Sequence, residues 1–109
     1  MKRYAVELTE HALLDLDEIA TYITARDGPA RAEHVAKGIE KVYESLTLFP
    51  NRGAYVRELL ETGNRDFREV HFKPYRIIYR VHASRVIVFL IADGRRNMQA
   101  TVTARVLGA

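Results

Sequence analysis

Apolar and polar side chains alternate from Tyr4 to Thr9, with Val6 and Leu8 on one side, and this period of two predicts a short strand. The period then lengthens. Leu13, Leu16, Ala20 and Ile23 recur at helical spacing, and Asp15, Asp17 and Glu18 fall off that stripe. Thr9 can cap this amphipathic helix, and Glu10 stands in its first turn, where the helix dipole favours a negative charge. The helix ends near Asp27 and Gly28. Pro29 suits the first turn of a second helix, whose stripe runs through Ala32, Val35, Ala36, Ile39, Val42, Tyr43, Leu46 and Phe49. The short turn between the two predicts an antiparallel helical hairpin.

Pro50, Asn51, Arg52 and Gly53 stop the second helix. The stretch from there to Asn64 has the weakest pattern and reads as loop with a short strand at Val56 to Leu60. Strands follow at Phe67 to Phe72, Tyr75 to His82 and Arg85 to Ala92, joined through Lys73-Pro74 and Ala83-Ser84, and such short connections predict antiparallel hairpins. The last strand is apolar on both faces. It therefore belongs inside the sheet, with the helical hairpin over one face and a further layer over the other. From Gly94 on, Met98, Val102, Val106 and Leu107 fit a short helix or an extended tail. The expected fold class is α+β: an N-terminal strand, an antiparallel helical hairpin on a mainly antiparallel twisted sheet, and a short C-terminal helix. With 109 residues and 48% hydrophobic content, the expectation is a single domain over residues 1–109.

Strand periodicity puts Arg76, Ile78, Arg80 and His82 on one face and Tyr75, Ile77, Tyr79 and Val81 on the other. The second set builds a core. The first set reads as two guanidiniums and an imidazole presented on a rigid platform. Charge sharpens this picture, because residues 1–64 carry net −3 while residues 65–109 carry net +6. The basic half has a single lysine, Lys73, and the arginine fork suits bidentate pairing with phosphate or carboxylate. A polyanion or an acidic protein segment is the expected partner; the alternative is arginines that keep a solvated sheet from aggregating. With no cysteine there is no disulfide and no thiolate metal site. The absence of a long apolar run points to a cytoplasmic protein without a membrane partner. No His, Asp and Glu set has metal-ligand spacing, and no cofactor is expected.

The order of elements, together with Leu8-Thr9, Arg57-Glu58-Leu59, Gly63, Arg65, the run YRIIYRV at 75–81 and Arg95-Arg96, resembles the ParE branch of the RelE/ParE toxin superfamily. Members are also known as plasmid stabilisation proteins. The resemblance covers almost the whole chain. It implies a toxin of a type II toxin-antitoxin module, held inactive in a hetero-oligomer by a ParD-like antitoxin whose flexible tail wraps it. By resemblance, the ParE branch catalyses nothing and poisons DNA gyrase, whereas RelE-like relatives are endoribonucleases that cut messenger RNA on the ribosome.

The residues bear on which chemistry the resemblance carries. RNA cleavage needs a general base, cations on the developing phosphorane charge and a proton donor. Arg76 and Arg96 match two arginines of the RelE surface. Where RelE has paired lysines before the hairpin this chain has Arg68 and Val70, its terminal-helix tyrosine is matched by Val102, and the histidine of other ribonuclease members is matched by Asp93. His82 is the available substitute base; it reads otherwise as a polar residue at a hairpin end. Asp93 reads as an ion-pair partner of Arg95 or Arg96. Tyr75 and Tyr79 read as core-edge residues with hydroxyls reaching the surface, and Arg57 and Glu58 as ties between the long loop and the sheet. A gyrase-directed toxin is therefore expected, with Arg68, Arg76, Arg80, Arg95 and Arg96 meeting the target or the antitoxin. Two alternatives stand beside it: a ribosome-dependent ribonuclease using Arg76, Arg96 and His82, and a non-toxic module that only binds its antitoxin.

Overall fold

The computed structural model describes residues 2–107. Strand β1 (Ala5–Leu8) leads into helix α1 (Glu10–Asp27), helix α2 (Pro29–Glu44) and a 3-10 turn (Ser45–Thr47). A two-residue strand β2 (Ala54–Tyr55) and a short helix α3 (Arg57–Leu60) precede the meander β3 (Phe67–Phe72), β4 (Tyr75–His82) and β5 (Arg85–Asp93). Helix α4 (Gln99–Leu107) follows. The sheet has five strands in the order β1-β5-β4-β3-β2, with β1 parallel to β5 and every other pair antiparallel. This is the expected α+β architecture.

Both helices of the hairpin begin as the sequence indicates and α1 ends at Asp27 as expected, but α2 ends at Glu44, earlier than the expected stop at Pro50, and a 3-10 turn carries the chain on. The Thr9 hydroxyl accepts from the Ala12 N–H at 3.1 Å, and Pro29 opens α2 directly after Gly28, whose φ of 94° suits glycine. The stripe of α1 is rotated from the expected one. Ala12 and Ile23 are buried and Leu16 and Ile19 half-buried, while Leu13 is 54% exposed. Asp15 turns inward for a specific reason. Beyond Leu8, β1 no longer pairs with β5, so the Phe89 carbonyl and the Ile91 N–H would be left bare. The Asp15 carboxylate accepts from the Ile91 N–H at 3.0 Å, and Arg105 of α4 donates to the Phe89 carbonyl at 2.8 Å while gripping both Asp15 oxygens.

The sheet is covered on both faces. Under the hairpin lie Val35, Ile39, Leu46, Val70, Ile77, Tyr79, Val86, Val88 and Ile91. Gly38 of α2 leaves the space that the Phe72 ring fills, since a Cβ there would lie 2.2 Å from it. On the far face α3 and α4 enclose Val56, Leu59, Phe67, Ile78, Leu90, Ala92, Met98 and Val102. A bulge lets β5 serve both layers: Ile78 pairs with Leu90 and Tyr79 with Val88, so Phe89 is the extra residue and joins Leu90 on the far face.

Further expectations need correction. The stretch from Val56 to Leu60 is one turn of helix rather than a strand, because Val56 and Leu59, three apart, both point into the far core. Phe49 ends the second stripe exposed, not buried. Tyr79 keeps its hydroxyl inside: it donates to the Pro50 carbonyl at 2.7 Å and accepts from the Gly53 N–H at 3.1 Å, pinning the loop that leaves α2. Of the two options for the chain end, the structure takes the helix, and no helix of the described residues is long and apolar enough to cross a membrane.

Candidate functional site

Arg76, the second residue of β4, sets the geometry of the basic strand end. It is 7% exposed, not presented on a platform. Register explains half of its environment. His71 lies opposite it on β3, so Glu69, two residues back, is the diagonal neighbour on the same face, and Glu69 accepts from Arg76 Nε at 2.9 Å and from its Nη2. Helix α3 supplies the other half. Glu58 takes a bidentate pair from Nη1 and Nη2 at 2.7 and 2.8 Å. Met98 Sδ stands 3.7 Å from Nη1, and Gly94 lies over the arginine stem, where a Cβ would come within 2.8 Å of it. The hydrogen bonds from Arg76 hold the Glu58 carboxyl down at about 2, well below the usual range. The His71 imidazole approaches Glu69 at 3.3 Å from its exposed side.

The other sequence-derived candidates separate in space. Arg95 and Arg96 leave the sheet beside Arg76 and are exposed; Arg95 pairs with Asp93 at 2.6 Å, as expected. Arg80 is half-exposed, stacks over the Phe67 ring at 5.8 Å, and has no carboxylate at salt-bridge distance among the described residues. Arg68 is on the opposite face. It donates to the Asn51 and Gly53 carbonyls and the Tyr55 hydroxyl and lies 4.4 Å over the Tyr55 ring, so its fork is occupied in holding the loop to β3. His82 is exposed at the far end of β4. Strand rise puts Arg80 roughly 13 Å and His82 roughly 20 Å from Arg76. Gly94, packed on the Arg76 stem, thus places Arg95 and Arg96 at the Arg76 end of the sheet, and His82 lies at the other end of β4.

Beside the cations stand the carboxylates of Glu58 and Glu69 and the His71 imidazole, which approaches Glu69 from its exposed side. The Glu58 carboxylate, held at about 2, is a poor proton acceptor at neutral pH. Among the described residues, no group of three or more His, Cys, Asp or Glu side chains could hold a metal ion. The sequence reading missed Glu69 and Met98 as partners of Arg76. The register of the short β3–β4 hairpin was the signal that could have found Glu69.

The helical hairpin, the β1-β5-β4-β3-β2 sheet and the arginine-rich strand end define a toxin of the RelE/ParE superfamily. Residues 6–98 match the family described as ParE toxin of type II toxin-antitoxin system, parDE, and the chain belongs to that family. It is 33% identical over 86 residues to Toxin ParE3 of Caulobacter vibrioides, covering 79% of this chain and 82% of that protein. Two solved structures share the fold. A chromosomal ParDE toxin-antitoxin system from P. aeruginosa superposes with a TM-score of 0.69 at 20% identity, over 84% of this chain and 96% of that one. The toxin-antitoxin complex RelBE2 from Mycobacterium tuberculosis gives 0.59 at 22% identity, over 85% and 93%.

Proposed function

We propose that this toxin acts in the cytoplasm by inhibiting DNA gyrase and so blocking replication, and that a ParD-like antitoxin neutralises it in a hetero-oligomer. The observation that carries this reading is the burial of Arg76 between two carboxylates. An arginine committed in this way has no donor left for a scissile phosphate, and His82 is too distant to act with it. An inhibitor needs only a complementary surface. Arg80, Arg95 and Arg96 supply the exposed charge of that surface, while Arg76 and Arg68 are positioning residues that fix α3 and the loop before it. That the structural neighbours are a ParDE system and a RelBE2 toxin-antitoxin complex supports an antitoxin as partner.

The test is a brief induction in a bacterial host without antitoxin, with labelled thymidine and methionine incorporation followed through the first minutes. Thymidine incorporation falls first, and purified toxin stabilises gyrase-cleaved DNA in vitro. An earlier fall in methionine incorporation would instead establish the ribonuclease reading, and no growth arrest would establish the binding-only module. The variant R80E/R96E loses gyrase inhibition or antitoxin binding; retention of both overturns the assignment of this surface.

A further inference from the structure

The end of the molecule where the helical hairpin turns carries a second constellation, which takes in Arg95 and Arg96 but neither Arg80 nor the buried Arg76 ion cluster. Arg26, in the last turn of α1, donates to the Tyr22 hydroxyl at 3.0 Å and lies over that ring. Arg31 is exposed in the first turn of α2, which has no side-chain cap and no acidic residue. Asp93 pairs in register with Tyr75, and the Gly94 N–H donates to the Pro74 carbonyl at 2.8 Å, bringing the Lys73-Pro74 turn and the Arg95-Arg96 loop to the same end. Tyr22, Tyr75 and Arg95 lie within electrostatic reach of one another, as do Arg26 and Arg95, and Arg31 and Tyr75. Lys73, Arg26, Arg31, Arg95 and Arg96 are all exposed; Asp27 lies near Arg26, and Asp93 pairs with Arg95.

We infer that this hairpin end is a phosphodiester-binding surface that grips the backbone of duplex DNA. Three features select that ligand. Most of the cations are arginines, whose forks match phosphate oxygens, and the Tyr22 hydroxyl adds a neutral polar contact. The clefts of about 560 and 480 Å³ lie elsewhere, beside β1 with Phe49 and between His11 and Ala104, so neither seats an acidic peptide at this end. The aromatic platform for unpaired bases is reduced, since Arg26 covers one side of the Tyr22 ring and Tyr75 is half-buried against the hairpin. Binding stands independently of the gyrase reading. Only its use, holding broken duplex in a gyrase complex, rests on that reading.

The experiment is fluorescence anisotropy of purified toxin with a labelled 20-base-pair duplex over a salt series, in the absence of gyrase. Each phosphate contact contributes a slope of about 0.9 in log K against log salt, so R26Q/R31Q lowers the slope by about 2 and weakens binding at low salt by about tenfold or more. K37Q/K41Q removes the same charge farther along α2 and leaves binding unchanged. Equal losses in the two variants, an unchanged R26Q/R31Q, tighter binding of an RNA hairpin than of the duplex, or capture of a polyglutamate peptide but not the duplex overturns the inference. Because DNA binding is read without gyrase, its failure is distinct from a failure to inhibit the enzyme.

Discussion

The two faces of the sheet are held by different physics. Under the hairpin the contacts are almost all apolar, and Ile39, Leu46, Ile77, Val86 and Val88 are fully buried. On the far face the cover is α3 and α4, of 4 and 9 residues, lengths at which a helix is marginal on its own. Here a buried ion cluster adds what apolar area does not. Arg76 ties α3 to β3 and β4 through Glu58 and Glu69, and Arg105 ties α4 to α1 through Asp15. The comparison teaches that an arginine on a strand face can be an internal fastener. Apolar area fills the hairpin side, while directional charge orients the short helices opposite.

Arg76→Met is the severest way to break this contrast. It leaves two nearly buried carboxylates without a counter-ion and costs about 3–5 kcal/mol in denaturant unfolding, with α3 losing amide protection first. The two faces also separate by pH. Glu58 is held at about 2 against an ordinary value of 4.5, so its contribution is full above about 4.5 and is lost as pH falls toward 2. Urea midpoints between pH 5 and pH 2.5 should fall steeply in the native protein and more shallowly in E58Q, which starts lower. Tyr79→Phe probes the single buried hydroxyl of the hairpin side. It strands the Pro50 carbonyl and the Gly53 N–H at a cost of about 1–3 kcal/mol, independent of pH across the acid range. The smallest effect lies in the turn joining β4 and β5, where Ala83 adopts a φ of 54°. Ala83→Gly relieves that left-handed strain and raises stability by about 0.5–1 kcal/mol, read as a rise in Tm.

What the sequence made legible follows the same division. The hairpin turn at Gly28-Pro29, the meander and the interior place of β5 came from short-range periodicity, because the residues that specify them are neighbours along the chain. Partners distant in sequence were not legible. Asp15 reads as a solvent residue on α1 until the end of β1 exposes the β5 edge beside it. Helix α3 reads as a strand because five residues are too few to show a period; the spacing of Val56 and Leu59 carries the helical signal. The basic surface was legible in composition but not in depth. Arg76 and Arg80 have the same periodicity, and it is the cover over Arg76, Glu58 of α3 with Glu69, Gly94 and Met98, that leaves one buried while the other faces solvent.

The Asp15–Arg105 pair has a meaning for the free protein as well as for the fold. A strand edge that offers a carbonyl and an N–H invites another chain to dock alongside it. At Phe89 and Ile91 that invitation is withdrawn by a carboxylate and a guanidinium reaching in from two helices, already bonded to each other as well as to the strand. A stray peptide would have to displace a charged pair to gain hydrogen bonds the sheet already has. The safeguard against unwanted polymerisation on this side is therefore carried by helices at opposite ends of the chain, and it is in force only once both have docked.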